Sequence, residues 1–339
     1  MLARLQQALT LGALLLAAGW AWLASRSGHP GWAVAGVLLV IGGYALVLGL
    51  EFLLLHRVHG DDPTPRARPR QLLRAWCGEV LSAPAVFCWR QPFFSRRWPD
   101  RVPADSLGHR GVVLVHGFVC NRGLWNPWLA KLQAQQVPFI AVDLEPVFGS
   151  IDAYSHVIEA AVQRLEKATG QAPVIVAHSM GGLAVRRWWV EHGNDRRVHR
   201  AITIGTPHRG TWLARFALSA NGRQMQPESE WLRSIAARET AARATHFTCF
   251  YSHCDNIVFP PIAATLAGAD NRHLAAVAHV HMADRPEPWQ ELQRWLQTPA
   301  TESKLKAEPR PEAEVKPAVR PAAKPKPEPE AEAEPEPAP

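Results

Sequence analysis

The chain of 339 residues has few cysteines, and these follow no regular spacing. There are five, an odd number without a CxxC pair, so they do not describe the disulfide framework of a small secreted domain. Cys249, His253 and Cys254 lie close together, but without a matching histidine spacing they do not predict a zinc site. We therefore expect reduced thiols and no bound metal.

The sequence also lacks a nucleic-acid recognition module. The net charge is +7, but the arginines are scattered and no aromatic-basic motif groups them. We therefore predict no nucleic-acid partner. The length allows one catalytic domain of ordinary size with additional segments.

Two apolar segments near the N-terminus carry almost no charge. Residues 9–24 are nearly all apolar, and residues 32–55 are apolar except for Glu51. Because about 20 apolar residues cross a hydrocarbon layer of roughly 30 Å, both segments can span a membrane. The turn at 25–31 is rich in helix breakers, which favours a helical hairpin. A signal peptide is the alternative for the first segment, and the second segment argues against release.

Charges around the second segment predict its orientation. The hairpin turn carries only Arg26, whereas several basic residues follow the segment closely. These are Arg57, Arg66, Arg68, Arg70 and Arg74. Both chain ends are therefore predicted to be cytoplasmic, with the catalytic domain at the inner membrane if the protein is bacterial.

Composition divides the chain into four regions. Residues 1–59 are the predicted transmembrane hairpin, 60–108 a basic, amphipathic connecting region, 109–299 the catalytic domain and 300–339 a tail of Pro, Glu, Ala and Lys. The tail has no aromatic residue and cannot bury a core, so it is predicted to be a disordered spacer. The connecting region fits either a helix on a membrane surface or a helix packed on the catalytic core.

Short apolar runs alternate with amphipathic stretches between residues 111 and 296. This pattern predicts an α/β fold with a mostly parallel central sheet and helices on both faces. The clearest helices are predicted at 151–168, 182–192 and 286–296. The predicted strands are 112–115, 138–142, 173–177, 201–204, 246–251 and 274–278.

Residues 173–183, PVIVAHSMGGL, predict a strand, a tight turn and the start of a helix. This is a nucleophile elbow, a strained turn that presents a serine hydroxyl at the carboxyl end of a strand. Gly181 and Gly182 let the helix and the strand approach closely, and Ala177 stands where the G-x-S-x-G pattern has its first glycine. Ser179 is therefore the predicted nucleophile.

A serine nucleophile requires a carboxylate that orients its histidine base. In this type of fold the acid follows the nucleophile in the chain and precedes the histidine. Asp255 lies in the loop after the predicted strand 246–251 and is the candidate acid. Asp270 is farther from a clear strand end, and Asp284 follows the histidines too closely.

The predicted base follows the run 274–278. His279 comes first after this run and is favoured, while His281 stays an alternative because spacing does not separate the two.

Two backbone donors are needed to stabilise the oxyanion that develops during acyl transfer. Met180 N–H, directly after the nucleophile, is one candidate, and Phe118 N–H in the loop after the first strand is the other. His116 is interpreted as a residue that shapes this loop, and His208 as a structural histidine near the site.

Three motifs together resemble those of bacterial triacylglycerol lipases and related esterases. They are AHSMGG at 177–182, HGF at 116–118 and GTPHRG at 205–210. The elbow is similar to that of the small Bacillus-type lipases, where Ala likewise replaces the first Gly. The resemblance covers about residues 110–296 and implies an α/β-hydrolase fold, acyl-enzyme chemistry, no organic cofactor and no metal requirement.

The same resemblance extends to the candidate acid and base. The segment around Asp255 is similar to the acid loop of these enzymes, and His279 lies in a segment that resembles their G-H-x-x-L site. Ala278 replaces the Gly of that site and Met282 its Leu.

These observations predict a serine hydrolase that cleaves carboxylic esters. Lipid or acyl esters are favoured, because an apolar anchor would hold the site near a bilayer. Two alternatives stay open: an acyltransferase, thioesterase or amidase on the same fold, and a non-enzymatic membrane scaffold.

Overall fold

The computed structural model describes residues 1–298. The tail predicted at 300–339 lies outside the described residues, and the region boundaries drawn from composition stay predictions. The α-helices of the described part are α1 (Leu2–Arg26), α2 (Pro30–Arg57), α3 (Pro69–Pro84), α4 (Gln91–Phe94), α5 (Asn126–Ala134), α6 (Ser155–Thr169), α7 (Met180–His192), α8 (Ala220–Gln224), α9 (Glu230–Ala236), α10 (Ala241–Ala244) and α11 (Pro286–Gln297).

Helices α1 and α2 pack against each other as a hairpin. Both are long and apolar enough to cross a membrane, with mean hydropathies of 1.6 and 2.4. Only 11% and 6% of their apolar windows are buried inside the protein, unlike the core helices of a soluble domain. A signal sequence near an N-terminus would meet the same criteria. The two predicted helices are thus present, as candidate membrane spans.

The last two turns of α2 enter the catalytic domain. Phe52 and Leu55 are 5% and 3% exposed, and they belong to one apolar cluster with Cys254, Phe259 and Ala278. Because Cys254 directly precedes the candidate acid and Ala278 directly precedes the candidate base, α2 ends beside the site.

The connecting region folds into α3, a π-helical segment (Ala85–Arg90) and α4. Helix α3 contacts α2, where Tyr44 Oη donates a hydrogen bond of 2.6 Å to the carbonyl of Val80. It also buries Glu79 against the catalytic domain, while Leu81 is 77% exposed. Of the two packing arrangements that the sequence left open, α3 therefore shows contact with the core, and it keeps an exposed apolar face.

The catalytic domain is built on one sheet of parallel strands. Within residues 1–298 it has six strands in the order β2-β1-β3-β4-β5-β6, which confirms the predicted α/β fold. The strands are β1 (Val112–Val115), β2 (Phe139–Ala141), β3 (Val174–His178), β4 (Arg200–Ile204), β5 (Phe247–Tyr251) and β6 (Asp270–His273).

One predicted strand is wrong. Residues 274–278 are not a strand, and the last strand is the preceding segment β6. As the edge of the sheet, β6 is largely exposed and carries polar residues, so it lacks the apolar signal of the buried strands. The apolar run that follows forms a loop instead, which buries Leu274 and Val277 and gives Ala276 a φ of 57°.

The buried strands have continuous apolar runs because both faces of the sheet are covered. Alternate side chains of a strand point to opposite faces. Val113 and Val115 therefore pack in the apolar core that contains α6 and α7, while Val112 and Leu114 pack in the core on the other face, with α5 and α11. This layering leaves the carboxyl ends of the strands free to form a site.

Candidate active site

Ser179 lies in the turn between β3 and α7 and has φ 55° and ψ −132°. A positive φ is costly for a residue with a Cβ atom, so the surrounding contacts must hold it. Its N–H donates to the carbonyl of Ile204 (2.8 Å), and its carbonyl accepts from Thr206 Oγ1 (2.9 Å). The strained turn predicted from the sequence is thus anchored to the end of β4.

Glycines make this turn possible. A Cβ on Gly182 would lie 2.2 Å from Thr206 Oγ1, and one on Gly181 would lie 2.5 Å from the carbonyl oxygen of His116. A Cβ on Gly117 would lie 2.7 Å from the Cβ of Ser179 and 3.2 Å from its Oγ. These contacts explain why small residues occupy the elbow and the loop that faces it.

Asp255 and His279 form a buried pair. Both carboxylate oxygens of Asp255 lie 3.0 Å from His279 Nδ1. Asp255 Oδ1 also accepts the N–H groups of Ile257 (2.9 Å) and Val258 (2.8 Å), which fixes the carboxylate. Because the carboxylate accepts the Nδ1 proton, Nε2 of the neutral ring is left as an acceptor.

Gly205 connects this pair to the serine. It lies between Ile204 and Thr206, the two residues that hold the Ser179 backbone. A Cβ on Gly205 would lie 3.0 Å from Asp255 Oδ2 and 3.1 Å from His279 Nδ1. The predicted nucleophile, acid and base are therefore brought to one end of the sheet.

Electrostatics favour the protonated ring of His279. Burial opposes the charged imidazole, but the charge and hydrogen bond of Asp255, with the carboxylates of Glu79 and Glu51, raise the pKa of His279 above its ordinary value. His178 contacts it, since the two rings lie 4.7 Å apart. Burial and the charge of His279 lower the pKa of His178 to about 3, so His178 is neutral.

The two candidate oxyanion donors, the N–H groups of Met180 and Phe118, belong to segments that meet at Ser179. Met180 is the first residue of α7, directly after Ser179, and is buried. Phe118 follows Gly117, whose close approach to Ser179 brings the loop after β1 to the elbow. The phenyl ring of Phe118 packs edge-on against Phe148, with centroids 5.7 Å apart.

The competing residues lie elsewhere. The ring of His281 packs on α3, where a Cβ on Gly78 would lie 2.3 Å from His281 Nδ1. Asp284 pairs with Arg90 (3.1 Å), and Asp270 pairs with Arg272 (2.7 Å). The geometry therefore favours Asp255 and His279 over these alternatives.

His116 and His208 are buried in structural roles. Leu144 N–H donates to His116 Nε2 (3.0 Å), so the other nitrogen carries the proton and donates it to the carbonyl of Gly117 (2.9 Å). His208 Nε2 lies 3.0 Å from Thr203 Oγ1. Burial lowers the pKa of both histidines.

Sequence reasoning missed three residues that support the candidate base. Asn256 Oδ1 accepts the N–H of His279 (3.2 Å), and Asn256 Nδ2 donates to Glu51 Oε2 (2.6 Å). Glu79 accepts the N–H groups of Val280 and His281, each at 3.0 Å. The only available signal was Glu51, a lone charge in an apolar segment.

The chain resembles several solved structures at low sequence identity. No curated protein matches the chain. Solved structures that resemble it include the mature Bacillus licheniformis lipase BlEst2 (16% identity, covering 58% of this chain and 96% of that one, TM-score 0.49). Aspergillus fumigatus lipase B is 19% identical, with 56% of this chain and 54% of that one covered and a TM-score of 0.48. Legionella pneumophila phospholipase PlaB is 14% identical, with 58% of this chain and 60% of that one covered and a TM-score of 0.46.

The family assignment rests on a profile match. The profile described as "Alpha/beta hydrolase family" matches residues 112–329, more than half of the chain. This range contains the elbow, the candidate acid and the candidate base. The chain therefore belongs to the alpha/beta hydrolase family.

Proposed function

We propose that the protein is a serine hydrolase that cleaves carboxylic esters through an acyl-enzyme intermediate. The observation that carries the proposal is the buried pair of Asp255 and His279, with both carboxylate oxygens 3.0 Å from Nδ1, beside a serine in a strained elbow. Such a pair turns a weakly nucleophilic hydroxyl into an effective one.

In the proposed reaction, Ser179 Oγ attacks the ester carbonyl carbon while His279 Nε2 takes the hydroxyl proton. The N–H groups of Phe118 and Met180 stabilise the oxyanion. His279 then gives its proton to the leaving alcohol, and the acyl group stays on Ser179. Water, activated by the same nitrogen, releases the acid. Asp255 stabilises the imidazolium in both steps.

Lipid or acyl esters are the proposed substrate class. The support is the position of the site: α2, a candidate membrane span, ends in the apolar cluster next to the acid loop. We further propose that α1 and α2 cross the membrane and that the catalytic domain lies on the cytoplasmic side, because basic residues follow α2. Protease accessibility of the C-terminal tail in sealed vesicles tests this orientation.

Active-site labelling tests the proposed chemistry. The full-length protein in detergent should react with a fluorophosphonate probe and should release acid from short-chain p-nitrophenyl esters. The Ser179→Ala variant should lose both activities. Ser234→Ala is the matched control, since its hydroxyl only donates to the carbonyl of Trp231. Full activity of Ser179→Ala would rule out the proposed nucleophile.

A further inference from the structure

The loop that carries His279 has no regular structure on its N-terminal side, yet side chains hold three successive backbone N–H groups. The N–H of His279 donates to Asn256 Oδ1 (3.2 Å), and those of Val280 and His281 donate to the two carboxylate oxygens of Glu79 (3.0 Å each). The orientation of a base depends on such backbone anchors as well as on its acid partner.

Two carboxylates of the N-terminal helices contribute to these anchors, one directly and one through Asn256. Glu79 is on α3 and is 1% exposed. Glu51 is on α2, and its Oε2 accepts a hydrogen bond of 2.6 Å from Asn256 Nδ2, which orients the amide whose oxygen holds His279. Asn256 also directly follows Asp255. The acid and the base are thus both linked to helices that precede the catalytic domain.

The apolar contacts agree with these hydrogen bonds. Phe52 and Leu55 of α2 and Ala75 of α3 are buried in one cluster with Cys254 and Ala278, the neighbours of the acid and the base. A buried carboxylate is costly to desolvate, and burial raises the pKa of Glu79 to about 7. The presence of a carboxylate at such a costly position indicates a role beyond packing.

We propose that Glu51 and Glu79 are positioning residues for the hydrolase reaction, so that the N-terminal helices form part of the structure that holds the acid and the base. This inference rests on the proposed function. Neither residue is assigned a contact with substrate: Glu51 acts through Asn256, and Glu79 acts through the backbone that follows His279.

The first test compares Glu79→Gln with the wild-type protein in the rate of fluorophosphonate labelling. Gln keeps an acceptor for one N–H and presents an amide group to the other, so the loop loosens and labelling should slow by about 10- to 100-fold. The charges that face His279 are those of Asp255, Glu51 and Glu79, and the facing ring of His178 is neutral.

Loss of one of these carboxylates lowers the pKa of His279, so the acid limb of the pH profile should shift to lower pH. Partial unfolding would reduce the labelled fraction and would leave the limb in place. A Glu79→Gln variant with wild-type rate and wild-type limb would overturn the role of Glu79.

The second test uses two substitutions at Glu51. Glu51→Gln keeps an oxygen that accepts from Asn256, whereas Glu51→Leu removes it and makes α2 only more apolar. We expect labelling by the Leu variant to fall about tenfold and the Gln variant to keep most of the wild-type rate. Equal rates for the two variants would overturn the role of Glu51.

Two control variants keep the residues of the proposed reaction intact. Tyr44→Phe removes a hydrogen bond between α2 and α3 that touches neither loop. Glu191→Gln removes a half-exposed carboxylate of α7 that pairs with Arg187. Both should label at the wild-type rate and with the wild-type pH profile.

Hydrogen exchange separates this inference from the proposed function. In the Ser179→Ala background, Glu79→Gln should speed amide exchange in the segment that contains Val280 and His281. Unchanged exchange and unchanged labelling would overturn the positioning role while the hydrolase proposal stands. A wild-type protein that folds but takes no fluorophosphonate would overturn the hydrolase proposal itself.

Discussion

Replacement of Asp255 by Asn gives a sharp test of the acid, because it removes the charge and keeps the shape. In the structure, Oδ1 accepts two backbone N–H groups, from Ile257 at 2.9 Å and Val258 at 2.8 Å. The oxygen of the amide stays at these donors, so the NH₂ group takes the place of Oδ2, which lies 3.0 Å from His279 Nδ1. Where this NH₂ group donates to Nδ1, the ring proton moves to Nε2.

A ring protonated at Nε2 cannot take the proton of Ser179. We therefore expect Asp255→Asn to reduce kcat by about 10⁴-fold, roughly 5.5 kcal/mol of activation free energy, as a change of this kind does in a Ser-His-Asp triad. The assay is p-nitrophenyl ester hydrolysis, with fluorophosphonate labelling as an independent measure. Asp284→Asn, which disturbs only the pair with Arg90, should keep wild-type activity. A loss below about tenfold in Asp255→Asn would refute the tautomer argument.

Three further predictions follow from the geometry of the site. The reaction needs neutral His279 and its pKa is raised, so labelling should increase with pH and reach half its maximum above pH 6.5, the ordinary pKa of histidine; a midpoint below that value would contradict the influence of the carboxylates. His279→Ala should lose activity by about 10³-fold or more, whereas His281→Ala should change kcat by less than about tenfold, as measured by ester hydrolysis; the reverse order would make His281 the base. Gly117→Ala should slow labelling of Ser179 by about 10²-fold, because the added Cβ would lie 2.7 Å from the Cβ of Ser179. The control Gly193→Asn, at a helix end with open space around it, should label at the wild-type rate.

The elbow could be predicted because its information is local. Strand, turn and helix lie within residues 173–183, and the small residues that the turn requires are part of the same segment. The position of His279 was also predicted, although the strand before it was placed wrongly. The order of the residues in the chain was enough to identify this histidine, because the loop that follows β6 lies at the same end of the sheet as Ser179.

The supporting carboxylates could not be predicted, since they act over long distances in the sequence. Glu79 contacts residues about 200 positions away, and Glu51 contacts Asn256. Apolar spacing in α3 indicates a helix, but it does not identify the surface against which the helix packs. The edge strand β6 was missed for a related reason. It is polar, and what makes it a strand is its hydrogen-bonded pairing with β5, which leaves no apolar pattern in the sequence.

If α2 spans the bilayer as proposed, the burial of Phe52 and Leu55 affects how the protein sits in lipid. A helix whose apolar length exceeds the local hydrocarbon thickness normally relieves the mismatch by tilting. The end of α2 is locked into the catalytic domain, so a tilt of the helix must turn the whole domain with it or strain the loops at 254 and 278. Bilayer thickness would then set how the site faces the lipid surface, and lipid composition would become a variable of turnover.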